Sequence, residues 1–135
     1  MASDRLRDDR AGKIVVIDSS AIMMLFEFSI NLKEELIRLI GAYSIVVTKQ
    51  IIDEIKYLSD KGKGKKRNIA RPALKFIEDL EIMDAEGNAD NSVIDLASRL
   101  NAIVFTNDKE IRKKAKEKGL KTIYLRGKNK LEMSY

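Results

Sequence analysis

Four acidic residues stand where chemistry is possible: Asp18 at the exit of the apolar run Ile14-Val15-Val16-Ile17, Glu54 within "KQIIDEIKYL", Asp90 ahead of "NSVIDLASRL", and Asp108 after "VFTN". The hydroxyls of Ser19, Ser20 and Thr106 flank two of them. The chain contains no histidine and no cysteine. That excludes zinc sites of the usual kind, thiol nucleophiles, disulfides and imidazole general bases. Asp, Glu, Lys, Tyr, Ser and Thr remain, alone or around a hard cation that prefers oxygen ligands. Two carboxylates about 5 Å apart repel by roughly 3 kcal/mol at an effective dielectric near 20, and a cation removes that cost. An oxygen-only shell of this kind suits Mg²⁺ or Mn²⁺. Each acid also has a plain structural use: Asp18 and Asp90 as helix N-caps, Asp108 as a first-turn acid at the helix dipole, Glu54 as a flanking residue.

The elements that must position these groups can be read from the patterning. Four β-branched residues without alternation, Ile14 to Ile17, predict a strand over about 13–18 that is covered on both faces, as in a parallel sheet. "SSAIMMLFEF" reads as a short, largely buried helix. Asn31 caps a second, with Leu32, Leu36, Leu39 and Ile40 as its apolar stripe. "SIVVT" (44–48) is another buried strand, followed by a helix over 49–58. At about 100° per residue, Ile51, Ile52, Ile55 and Leu58 form the apolar face of that helix; Asp53 points away from it and Glu54 falls about 90° to the side. Glu54 can therefore lean toward a cleft.

Residues 59–71, "SDKGKGKKRNIAR", read as a basic, glycine-containing loop, with Pro72 in the first turn of the helix "PALKFIEDL". "EIMD", "AIVFT" (102–106) and "KTIYL" (121–125) complete five strands. Helices over 91–100 and about 108–118 lie between them, the latter stopped by Gly119. Asp95 lies about 140° around its helix from Asp90 and has Arg99 at i+4, which places it outside the site. Alternating strands and helices predict a parallel sheet with right-handed crossovers. In such a sheet ligands bind beyond the carboxyl ends of the strands, where strand order reverses. Asp18 and Asp108 reach one crevice there if the first and fourth strands are neighbours.

At 135 residues the chain is one domain, 13–135, preceded by a polar arm over 1–12 that is expected to be flexible. The apolar stretches are too short to span a bilayer and the amino terminus is charged, so a cytoplasmic place without membrane contact is expected. A net charge of +5 favours polyanionic partners. The absence of Cys and Trp beside abundant Lys, Glu and Ile hints at a thermophile. Lys61, Lys63, Lys65, Lys66, Arg67 and Arg71 crowd the basic stretch, and Arg112, Lys113, Lys114, Lys116 and Lys118 occupy the last helix. Such cations contact phosphates without reading sequence. The stretch over 59–71 is the stronger candidate for RNA contact, because its glycines let the chain conform and acids are not interleaved with it; the last helix reads equally as a solvated face.

The motifs, in order, resemble the PIN-domain ribonucleases over nearly the whole chain after residue 12. "VVIDSSA" resembles the first motif, with Asp18 as first metal-binding acid and Ser19 or Ser20 as supporting hydroxyl. "VTKQIIDEIKYL" resembles the second, whose acid falls on Glu54. "ADNSVIDLA" resembles the third, with Asp90 in the acidic position, and "AIVFTND" the fourth, ending in Asp108 with Thr106 before it. The resemblance implies a three-layer α/β/α fold with a five-stranded parallel sheet ordered 3-2-1-4-5. It also implies a Mg²⁺- or Mn²⁺-dependent endoribonuclease, often a homodimer, leaving 5′-phosphate and 3′-hydroxyl ends. The carboxyl-terminal third looks closer to archaeal relatives of ribosomal-RNA-processing nucleases, which implies a ribosome-assembly partner. The toxin branch implies a small antitoxin protein instead. One departure is Asp90-Asn91, where processing-type members often carry two adjacent acids.

Two further classes share this kind of sheet. A non-catalytic RNA-binding or assembly module keeps the fold without turnover, but a binder of polyanions gains nothing from a negative crevice. A phosphotransfer receiver or a phosphatase on a similar sheet needs acids or a lysine that "DSSA" and "YLRG" do not supply.

Overall fold

The computed structural model describes residues 12–135, so the arm expected over 1–12 lies, but for Gly12, outside the described residues. Six strands and six helices follow in the order β1 (Lys13–Ile17), α1 (Ser19–Glu27), α2 (Leu32–Ile40), β2 (Tyr43–Thr48), α3 (Lys49–Lys61), α4 (Lys65–Ile77), β3 (Glu81–Met83), α5 (Ala89–Leu100), β4 (Ile103–Phe105), α6 (Lys109–Glu117), β5 (Thr122–Arg126) and β6 (Lys130–Ser134). They form one sheet ordered β3-β2-β1-β4-β5-β6. The first five strands are parallel, in the order 3-2-1-4-5. Val15, Val16 and Ile17 pair with Ile103, Val104 and Phe105, so the adjacency of β1 and β4 on which the crevice depends is present.

Unbroken burial runs through Val15, Val16 and Ile17 and again through Ile103, Val104 and Phe105. Successive side chains of a strand point to opposite faces, so this pattern requires both faces to be covered. Helix α5 packs on β1, β2 and β4 with α3 and α6 beside it, while α2 packs on β2 and β6. Asn31 caps α2 by accepting the Glu34 N–H, as its position before the apolar stripe predicts.

Three features differ from the sequence expectation. A sixth strand closes the β5 side: β6 runs antiparallel to β5 from Arg126↔Lys130 to Thr122↔Ser134. The turn between them uses Gly127 at φ +71, a conformation that favours glycine, and Leu131 is the residue of β6 that enters the core. The basic stretch is not a loop. Helix α3 continues to Lys61 and α4 begins at Lys65, which leaves only Gly62, Lys63 and Gly64 between them. Pro72 accordingly lies in the interior of α4 rather than in a first turn. Its ring removes one backbone hydrogen bond, a cost of about 3 kcal/mol in a helix interior. Burial of Ala70, Ala73 and Ile77 against the core, in an α3–α4 pair, offsets it. The third difference is the start of α5 at Ala89, with Asn88 as its cap, so Asp90 lies inside the first turn and is not the N-cap.

Candidate active site

Asp18 leaves β1 at the point where strand order reverses, and its backbone N–H donates to the Phe105 carbonyl of β4 at 3.1 Å. Its side chain is only 1% exposed. Both carboxylate oxygens are engaged. Oδ1 accepts the Ser20 hydroxyl at 2.8 Å and the Ala21 N–H at 2.9 Å, and Oδ2 accepts the Thr106 hydroxyl at 2.5 Å. Asp18 therefore does cap α1. Three donors would ordinarily depress a carboxyl pKa, yet burial outweighs them and holds Asp18 at about 6; the negative charge of Asp108 adds to the rise.

Thr106 joins the two acids. While its proton goes to Asp18, its oxygen accepts the Asp108 N–H at 3.0 Å. Ser20 works in parallel, donating to Asp18 and accepting the Asn107 N–H at 2.9 Å. With both protons committed to the carboxylate, the 3.2 Å Ser20–Thr106 contact is packing of two oxygens. Of the two serines considered, Ser20 supports the site. Ser19 makes no side-chain hydrogen bond among the described residues. Asp108 caps α6 through the N–H groups of Glu110, at 2.8 Å, and Ile111, at 3.3 Å.

Glu54 is placed as helical geometry predicts. Ile51, Ile52 and Ile55 are buried, Asp53 is exposed, and Glu54 sits between them. Its Oε1 is buried and has no hydrogen-bond partner, a costly condition for a carboxylate oxygen. Its helix, α3, packs against α1, which Asp18 caps, and against α5, which carries Asp90. Asp90 is exposed and makes no hydrogen bond with the other three among the described residues. The ion pairs among those residues, such as Arg99–Asp95 and Lys65–Glu27, involve none of the four acids. The Asp95–Arg99 pair is the one expected for a residue outside the site.

The structure thus couples Asp18 to Asp108, buries one oxygen of Glu54 without a partner among the described residues, and leaves Asp90 exposed. Among the described residues no three acidic side chains lie close enough to hold one metal ion together. The donor set nevertheless fits a hard divalent cation. It consists only of oxygens, one of them buried without a partner, and among the described residues no ammonium or guanidinium pairs with the acids.

Supporting residues that the sequence did not single out come from side-chain amides and hydroxyls. Asn107 Oδ1 accepts the Leu125 N–H at 2.8 Å and locks the end of β4 to β5. Gln50 Nε2 donates to the carbonyls of Ala85, at 2.6 Å, and Gly87, at 2.9 Å, tying the loop before Asp90 to α3. The buried Thr48–Ser92 hydroxyl pair, at 2.9 Å, joins the end of β2 to α5. The available signal was position: Asn107 lies between Thr106 and Asp108, and Gln50 follows directly on a strand exit.

A family model described as a PIN-like domain matches residues 15–128. The chain belongs to the PIN-like domain family. Two curated relatives span almost its whole length. Ribonuclease VapC9 of Archaeoglobus fulgidus is 31% identical over 126 residues, covering 93% of this chain and 92% of that protein. Ribonuclease VapC4 of Methanocaldococcus jannaschii is 30% identical over 124 residues, covering 88% and 95%. Among solved structures, the PIN domain endonuclease Utp24 superposes at a TM-score of 0.73 over 90% of each chain with 18% identity, which shows the fold that this PIN-like domain shares with it.

Proposed function

We propose that this PIN-like domain is an endoribonuclease dependent on Mg²⁺ or Mn²⁺, hydrolysing phosphodiester bonds to 5′-phosphate and 3′-hydroxyl ends. The observation that carries the reading is the buried Asp18 at the strand-order switch, bridged through Thr106 to a second acid and paired with no cation among the described residues. The two curated ribonucleases, alike over about nine-tenths of the chain, support RNA as the substrate. Asp18 and Asp108, joined through Thr106, would hold the cation, and Glu54 and Asp90 would reach it only through bound water. When bound, it supplies positive charge against the phosphorane-like transition state and lowers the pKa of the attacking water.

The residues of the chain do the rest. Ser20 and Thr106 hold the Asp18 carboxylate in one orientation. Glu54 Oε1 would accept a proton from water, since no hydrogen bond among the described residues engages it. The exposed cations Lys61, Lys63, Lys65, Lys66, Arg67 and Arg71 are proposed RNA contacts, although Lys65 is engaged by Glu27 at 2.7 Å and Lys61 lies 3.9 Å from Asp60. A homodimer in the cytoplasm belongs to the same reading. Sedimentation at twice the 15.3 kDa chain mass tests the dimer.

The decisive experiment is Asp18→Asn with a labelled RNA and Mn²⁺. Cleavage is expected to disappear while the variant stays folded; full activity, or cleavage that persists in EDTA, overturns the mechanism. Two biological settings separate by expression in a host cell. A toxin role predicts growth arrest with the wild type, relieved by Asp18→Asn or by a co-expressed antitoxin. A ribosomal-RNA-processing role predicts altered precursor cleavage without arrest.

A further inference from the structure

We infer that the groove between α6 and the β5–β6 hairpin is the path of a single-stranded RNA, with phosphates on Lys109, Lys113 and Lys116 and a base on Tyr135. The inference rests on the ribonuclease reading and adds the surface that carries its substrate. Lys109, Lys113 and Lys116 recur at i, i+4 and i+7, so they share one face of α6. The stripe starts at the residue after Asp108 and runs about 10 Å along the helix, away from the site. Arg112 turns toward β5, where its guanidinium lies 3.7 Å from the centroid of the Tyr124 ring.

These side chains, with Thr122 and Tyr135, line a groove of about 390 Å³, and among the described residues no acidic side chain lines it. None of the ion pairs among the described residues uses Lys109, Arg112, Lys113 or Lys116. The contrast with the 59–71 stretch is direct, since its cations other than Lys63 sit on two packed helices and two of them lie beside acids. Tyr135 is 77% exposed, and Lys121 Nζ lies 5.1 Å from its ring centroid. A basic track with an exposed aromatic ring along it is the arrangement that binds single strands, in which every base offers a face for stacking. A duplex buries its base faces and leaves such a ring without a role.

The test is fluorescence anisotropy of a short unstructured RNA with the wild-type protein in EDTA, so that cleavage does not interfere. Lys109→Gln/Lys113→Gln/Lys116→Gln is expected to weaken binding at least ten-fold at low salt and to flatten the logarithmic salt slope by about 2. Tyr135→Ala is expected to weaken single-strand binding about five-fold or more with the slope unchanged, and to leave duplex binding alone. All four side chains are polar or exposed, and a thermal melt of each variant verifies folding. Wild-type affinity and slope in the triple variant overturn the groove, as does equal loss of duplex and single strand in Tyr135→Ala. Mn²⁺-dependent cleavage by the wild type is scored separately. Binding through the groove without cleavage upholds the surface and removes the ribonuclease reading; cleavage with an unaffected triple variant does the reverse.

Discussion

At Asp18 three hydrogen bonds compete with burial, and burial prevails. A carboxyl whose folded-state pKa is raised holds its proton more tightly in the folded chain than in the unfolded one. Its pKa rises from 3.8 to about 6, so between those values the folded chain keeps a proton that the unfolded chain has lost. Stability without metal therefore falls as pH climbs through that window and levels off above it. The shift corresponds to a penalty of about 3 kcal/mol at neutral pH. Asp18→Asn keeps an oxygen that can cap α1 and removes the charge, so in EDTA at pH 7 it should be more stable by up to about 3 kcal/mol. Urea melts between pH 4 and 7 read both effects, and a variant whose pH dependence matches the wild type contradicts them. Thr106→Val has the opposite sign. It leaves the Asp18 Oδ2 and the Asp108 N–H without their shared partner, at about 1–3 kcal/mol.

Among the elements, α4 and β6 are where local signals and tertiary packing disagree. Pro72 by itself signals a helix start because proline is favoured in a first turn, but the buried positions Ala70, Ala73 and Ile77 continue one stripe across it. Pro72→Ala should accordingly stabilise the protein by up to about 3 kcal/mol, since the side chain is exposed and the substitution restores a backbone donor. Chemical denaturation measures this, and destabilisation would mean that the ring itself packs. Strand β6 escaped notice because its alternation is short and places a single residue, Leu131, in the core. Leu131→Ala should cost about 2–5 kcal/mol and loosen the hairpin that forms one wall of the basic groove. Hydrogen exchange along β5 and β6 reports the second effect.

For the molecule as a whole, the proposed site would stabilise the fold only with a cation bound, because Asp18 is buried and the charge of Asp108 adds to the cost of ionising it. A ligand that binds the folded chain alone raises stability by about 2.7 kcal/mol at a hundred-fold excess over its dissociation constant. Mn²⁺ should therefore raise the melting temperature of the wild type in a concentration-dependent way and leave Asp18→Asn almost unmoved. Equal shifts in both proteins would place the ion elsewhere. The excess positive charge of +5 works in the other direction and would draw the proposed polyanionic substrate toward a site that alone would repel it.

The sequence by itself determined the parallel sheet and the candidate acids. Runs such as Ile14–Ile17 state that a strand is covered on both faces, and a carboxylate at the end of such a run can only lie at the lip of the sheet. The side position of Glu54 followed from helical angle alone. Tertiary structure decided what distance along the chain conceals: that Thr106 and Ser20, 86 residues apart, grip the same carboxylate, and that Asn88 rather than Asp90 caps α5. It also turned the basic stretch into two packed helices and set Tyr135 beside the cations of α6. Hydrophobic periodicity records which face of an element is buried, whereas the partner across the interface is fixed only when the elements pack.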